Sequence, residues 1–326
     1  MANIAIYVKG DKVGDALLKY PAIRAFKQAL PAKSKIIWIT GNESSAFLDR
    51  LDFLSKDIIH GFCIKNDTCS ISERKDILKK HHVDCLINSE ARLLTSVILR
   101  KSYDGQYICP ALNYFFSDRK PKIRKKNESV FEKFCTLLAL AAGQNLNLNF
   151  NIDIPKSYKS YVKKILPKTR YIGFSPGASE VEKTWPINHF IKLANLSHKY
   201  FFEPVFFLGP NENHLKSRLT TEVPNCKIIP NNNLPTDINN IPLLTIAAAN
   251  KLLFSVANDS GGGHLLASGR KPIITIFGKN RAQKFLSPYC NQTSINTLDF
   301  GKKNVVDLGF NPVYDEFIKM LNREAA

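Results

Sequence analysis

The sequence predicts an α/β protein of two tandem units, each a parallel sheet covered by helices. Three observations lead there. Short apolar runs alternate with stretches of helical period along nearly the whole chain, which is how strands joined by crossover helices read. That alternation breaks once, before Pro155, and then restarts. The length, 326 residues, suits two domains.

In the first unit, Ile4–Val8 is a strand and Asp15–Leu30 a helix, with Leu18, Ala22, Ala25, Phe26 and Ala29 on one face and Pro31 as its stop. Lys35–Thr40 and Val83–Asn88 are strands. Ala91–Lys101 and Val130–Ala142 are helices, the second closed by Gly143. Between Asn145 and Pro155, Leu146, Leu148, Phe150, Ile152 and Ile154 alternate with polar residues, so this stretch is extended with one face packed. The boundary is placed there, giving units 1–155 and 156–326. In the second unit, strands are expected at Arg170–Phe174, Pro204–Leu208, Lys227–Ile229, Leu252–Ala257 and Pro272–Phe277. Pro186 takes the N1 position of a helix running to about His198. Further helices fall near 211–222, 236–249 and 263–268, with a terminal one at Asn311–Leu321.

Composition excludes several classes. An apolar fraction of 44% fills real cores, which rules out disorder. Seven cysteines form an odd set without C-x-x-C or zinc spacing, so reduced buried thiols are expected. The longest apolar stretch, Ile241–Ala257, is broken by Pro242, Asn250 and Lys251 and falls short of a bilayer span. Nor does the start of the chain resemble a signal segment. A soluble protein with at most peripheral membrane contact is expected. The net charge of +18 admits nucleic acid, an anionic membrane or a phosphorylated substrate as partner. Yet 24 basic and 16 acidic residues precede Pro155 and 22 and 12 follow it, with 34 Lys to 12 Arg. Charge spread over both units, without a nucleic-acid motif, moves the first of these to last place and leaves a basic nucleic-acid-binding protein as the remote non-enzyme alternative. One run is concentrated: Arg119, Lys120, Lys122, Arg124, Lys125 and Lys126.

Three strand ends carry the chemistry, since open α/β sheets bind ligands at the carboxyl ends of their strands. The first turn, Lys9 to Asp15, lacks G-x-G-x-x-G and so lacks the dinucleotide fingerprint. Gly14 permits close backbone approach; Asp15 is either a helix cap or a reactive carboxylate. Ser175-Pro176-Gly177-Ala178-Ser179 is a small-residue loop followed by Lys183 and a helix start. Those are the parts of a phosphate cradle, although an ordinary turn with a surface lysine fits too. Asn258-Asp259-Ser260-Gly261-Gly262-Gly263-His264 leads from strand to helix. Glycine there costs about 0.5–1 kcal/mol per residue relative to alanine, which points to backbone packed against a ligand. Asp259 offers paired acceptors for vicinal sugar hydroxyls, with Ser260 and His264 beside it; a cap and a packing histidine are the alternatives. Glu212 could accept from ribose hydroxyls or complement a helix dipole.

Taken in order, three stretches resemble the glycosyltransferase family 9 heptosyltransferases, bacterial enzymes of lipopolysaccharide inner-core assembly. They are GDALLKYPAIRAFKQALP, SPGASEVEKTWP and NDSGGGHLLASGRKPIITIFG, spanning residues 14 to 278. The resemblance implies a GT-B architecture, two Rossmann-like domains with parallel sheets facing a central cleft, and a terminal helix that returns to the first domain. It implies inverting transfer of heptose from ADP-heptose, or a similar nucleotide sugar, with no cofactor and no catalytic metal. Carried over, Asp15 is the general base and Lys183 the diphosphate partner. Gly14, Ser179, Glu212, Asp259, Ser260, Gly261 and His264 serve donor binding. The acceptor is an anionic glycolipid of the Kdo–lipid A type, and the site of action is the cytoplasmic face of the bacterial inner membrane, peripherally. The Arg119–Lys126 run then meets the acceptor, the membrane surface or only solvent. A transferase using another nucleotide sugar and a GT-B-like nucleotide-sugar epimerase are the alternatives. The triple glycine and Ala178 depart from relatives, and residues 50–125 show no clear resemblance.

Overall fold

The structure, a computed structural model, describes residues 2–41, 45–47, 49–55, 59–63, 69–123, 127–168, 170–279 and 282–325. The chain divides into two compact units, Met1–Asn151 and Ile152–Ala326.

The first unit holds β1 (Asn3–Val8), α1 (Val13–Ala29), β2 (Lys35–Thr40), the single turn α2 (Asp52–Ser55) and β3 (Ile59–Cys63). Then come α3 (Ile71–Lys80), β4 (Cys85–Asn88), α4 (Leu93–Lys101), β5 (Gln106–Ile108), the single turn α5 (Ala111–Tyr114) and α6 (Val130–Ala142). Its sheet runs β3-β2-β1-β4-β5, and every pairing is parallel. Because helices cover both faces, β1 and β2 are near-continuous apolar runs, buried along almost their whole length. Capping boxes at Ser70/Glu73 and Ser129/Glu132 start α3 and α6, and Gly143, with φ +70°, ends α6. Residues 145–155 form no helix or strand, and their apolar side chains are half-buried while the polar ones between them are exposed.

The second unit holds α7 (Lys156–Ile165), β6 (Tyr171–Ser175), α8 (Ile187–Lys199), β7 (Glu203–Phe207), α9 (Lys216–Glu222) and β8 (Lys227–Ile229). It continues with α10 (Ile241–Ala249), β9 (Phe254–Asn258), α11 (Gly261–Ser268), β10 (Ile273–Phe277), β11 (Gln292–Asn296) and α12 (Asn311–Ala325). The parallel sheet runs β11-β10-β9-β6-β7-β8. Each unit's first strand lies between its second and fourth, so strand order reverses between β1 and β4 and again between β6 and β9. Such a switch point opens a crevice beyond the strand ends.

One expectation is corrected here: Pro186 is the N-cap of α8, one position before N1. In the terminal helix Val313, Phe317, Met320 and Leu321 recur at helical spacing and bury in the second unit's core. Phe317 stacks on Phe174 at 6.4 Å and meets Phe254 edge-on at 5.3 Å. Cys69, Cys85, Cys109, Cys135, Cys226 and Cys290 are unpaired thiols. Burial pushes those of Cys85, Cys135 and Cys290 up to about 12, which keeps them unreactive.

Candidate functional site

At the first unit's switch point, the turn after β1 is fixed by Asp11. Its Oδ2 accepts from Ser45 Oγ at 3.1 Å and Phe47 N at 3.2 Å, and its Oδ1 accepts from Trp38 Nε1 at 3.4 Å. Burial pushes the Asp11 carboxyl up, against those hydrogen bonds and the nearby positive charge of Lys19. This anchor was missed at the sequence level, because a buried partner 34 residues away leaves no local signal. With the turn held, α1 starts at Val13 behind the N-cap Lys12. Asp15 is therefore the third helical residue, and the cap reading for it falls. Among the described residues its half-buried carboxylate makes no hydrogen bond or ion pair. Gly14 is buried inside the first turn of α1.

The second unit collects the other groups over the ends of β6, β9 and β10. A cavity of about 380 Å³ is lined by Glu180, Glu182 and Lys183 after β6, Asp259 after β9, and Lys279 and Lys303. Lys183 Nζ donates to Glu180 Oε1 at 2.6 Å. Asp259 Oδ1 lies 3.9 Å from His264 Nε2, and both side chains are largely buried. Ser260, not Asp259, is the cap of α11, its Oγ accepting from Gly263 N at 3.3 Å. Lys183 and Asp259 thus share one cavity. Ser179 stands exposed in the loop after β6, outside that lining. Glu212 lies over the loop itself: a Cβ on Gly177 would sit 2.6 Å from its Cδ, and one on Gly209 2.6 Å from its Oε2. The space above Gly177 therefore holds a carboxylate, which disfavours a phosphate cradle at that spot.

The glycine run has a different cause from the one expected. A Cβ on Gly262 would meet Ser175 Oγ at 2.4 Å, and one on Gly263 the Asn258 carbonyl at 2.7 Å. These glycines let α11 pack against the chain's own strand ends, so their cost is explained without a ligand. Gly261 opens the helix at its first position. The basic run is described only in part. Arg119 Nη1 donates to the Leu140 and Ala141 carbonyls at 2.9 and 3.5 Å, closing the end of α6. Lys120 and Lys122 are exposed; Arg124, Lys125 and Lys126 lie outside the described residues.

Asn258, fully buried, holds the cavity's two walls together. Its Nδ2 donates to Pro176 O at 2.7 Å and its Oδ1 accepts from Trp185 N at 3.1 Å. Asn258→Leu leaves both partners unpaired, at about 1–3 kcal/mol each. The expected result is a lower thermal midpoint together with weaker ligand binding at Lys183; an unchanged midpoint speaks against this bridge. Lys279 was within reach of sequence reasoning, since it follows a strand end. Lys303, in a loop before the terminal helix, gave no signal.

The model of the family described as glycosyltransferase family 9 (heptosyltransferase) matches residues 74–308. No curated protein matches the chain. Among solved structures, the glycosyl transferase family 9 protein from Veillonella parvula is 16% identical, with TM-score 0.71 over 99% of this chain and 98% of that one. The E. coli ADP-heptose lps heptosyltransferase II is 17% identical, with TM-score 0.66 over 100% of both chains. The E. coli heptosyltransferase WaaC, solved with ADP, is 18% identical, with TM-score 0.66 over 99% of both. Two parallel sheets with flanking helices match the GT-B-like fold of these heptosyltransferases.

Proposed function

Because the chain belongs to glycosyltransferase family 9 and is a glycosyltransferase, we propose that it transfers a heptose from ADP-heptose to the Kdo/heptose region of a lipopolysaccharide inner core. The observation carrying this reading is that Lys183 and Asp259 line one cavity over the switch-point strands. A cation suits a diphosphate there, and a carboxylate suits sugar hydroxyls. The likeness to WaaC, also solved with ADP-2-deoxy-2-fluoro heptose, supports the choice of donor.

In this reading the acceptor hydroxyl attacks the sugar's anomeric carbon on the face opposite the diphosphate. The bond from that carbon to the phosphate oxygen breaks, and ADP leaves with the electron pair, which inverts the centre. The hydroxyl proton passes to Asp15 on the first unit. Lys183 and the positive end of α11 offset the charge developing on ADP, and no step is assigned to a metal. Peripheral action on an anionic glycolipid at the cytoplasmic face of the inner membrane is supported by a mixed apolar and basic surface. Exposed Leu94, Leu112, Phe115 and Ile123 accompany exposed Arg92, Lys120 and Lys122, at the start of α4 and in the segment after β5. Among the described residues no helix is long and apolar enough to cross a membrane.

The test is ADP release from ADP-heptose, with and without Kdo–lipid A. Acceptor-dependent release is expected, with the donor KM raised about tenfold in Lys183→Ala, the size of one charged phosphate contact. No release in the presence of acceptor, or an unaltered KM in the variant, overturns the reading.

A further inference from the structure

The donor cavity contains more positive charge than Lys183 supplies. Lys279 follows the end of β10, and Lys303 stands in the loop before the turn Val305–Asp307; both line the cavity. Unlike Lys183, which is paired with Glu180, neither makes a hydrogen bond or ion pair among the described residues. Their segments lie close together: a Cβ on Gly278 would lie 3.4 Å from Val305 Cγ2 and 3.9 Å from Lys303 O. Val305 is itself fully buried in the second unit's core. The two lysines thus line the cavity from neighbouring segments.

Strand order says which part of a donor they meet. Along the sheet the order is β10, β9, β6, β7. Glu212, after β7, sits on one side of the switch point, and Lys279, after β10, on the other. A nucleotide sugar whose ribose lies toward Glu212 and whose phosphates cross β6 and β9 brings its glycosyl-bearing phosphate to the β10 side. We propose that Lys279 and Lys303 bind that second phosphate, so that the leaving diphosphate meets ammonium groups from three separate elements. This rests on the donor-site reading above and extends it to two residues that no motif contains. It also accounts for where the anion goes when Glu212 fills the space above Gly177.

Calorimetric titration of wild type, Lys279→Ala, Lys303→Ala and the double variant with ADP, AMP and UDP tests the assignment. Both side chains are exposed, so the variants should unfold at the wild-type temperature. Each single change should weaken ADP binding about fivefold and the double change about 20-fold, as exposed charge contacts do. AMP, lacking the second phosphate, should bind all four proteins alike. The salt dependence of ADP binding should flatten in the double variant. ADP affinity within twofold of wild type in the double variant overturns the proposal, as does an equal loss for AMP. Wild type binding UDP in place of ADP, with the same loss in the double variant, upholds the lysines and corrects only the base. Wild type binding none of the three overturns the donor reading and the proposal with it.

Discussion

Asp15→Ala should slow acceptor-dependent transfer by about 10²–10⁴-fold, the range spanned by loss of a general base, while leaving ADP affinity unchanged. The structural ground is the state of that carboxylate. It stands in the first turn of α1, beyond a turn pinned by Asp11, and the capping position is already taken by Lys12. Among the described residues nothing occupies its oxygens. A carboxylate held in place yet left unbonded is available to accept a proton. Its other uses have distinct signatures. A stability role would lower the melting temperature of the alanine variant, and a donor-binding role would weaken ADP. The isosteric Asp15→Asn change should be as slow as alanine, because it keeps the shape and removes the basic oxygen. Transfer at the wild-type rate in either variant would eliminate the base.

The largest expected loss of stability is at Trp185, where Trp185→Ala should cost about 3–5 kcal/mol. The indole is fully buried, donates from Nε1 to Leu308 O at 3.0 Å, stacks on Phe310 at 6.3 Å and meets Phe190 edge-on at 5.1 Å. Truncation therefore opens a large void and strands a buried carbonyl. Because Trp185 is two residues beyond Lys183 and its N–H is held by Asn258, the loss should extend to the cavity wall and weaken ADP binding as well. Urea unfolding followed by circular dichroism, with calorimetric ADP binding on the folded variant, measures both. Stability within about 1 kcal/mol of wild type would mean that the site collapses around the void more completely than this packing allows.

Much of the fold was legible because most strands are buried on both faces and therefore read as apolar runs; β6 and β9 are buried at every position. The strands missed were those under weaker constraint; the helices α3 and α7 were missed too. β3 and β11 are edge strands with sequences IHGFC and QTSIN, and β5 is three residues long, so polar or small residues are tolerated in them. The terminal helix was visible as a helix, but its destination was not, since an apolar stripe does not say which sheet it covers. At the site, strand ends pointed to Asp15, Lys183 and Asp259. What stayed hidden depended on contacts between distant residues: Asn258 bridging Pro176 and Trp185, Glu212 lying over Gly177, and Lys303 brought beside Gly278. The triple glycine shows the difference most plainly. Its sequence cost was real, but the close neighbour was the protein itself.

The chain contains two tryptophans, and the structure puts them in different units: Trp38 in β2 and Trp185 before α8, both fully buried. Each unit thus has a private fluorophore. Trp185→Phe leaves emission that reports on the first unit alone, and Trp38→Phe leaves emission from the second. Comparing the two unfolding curves, with and without ADP, shows whether ligand binding at one sheet is felt by the other, without cutting the chain.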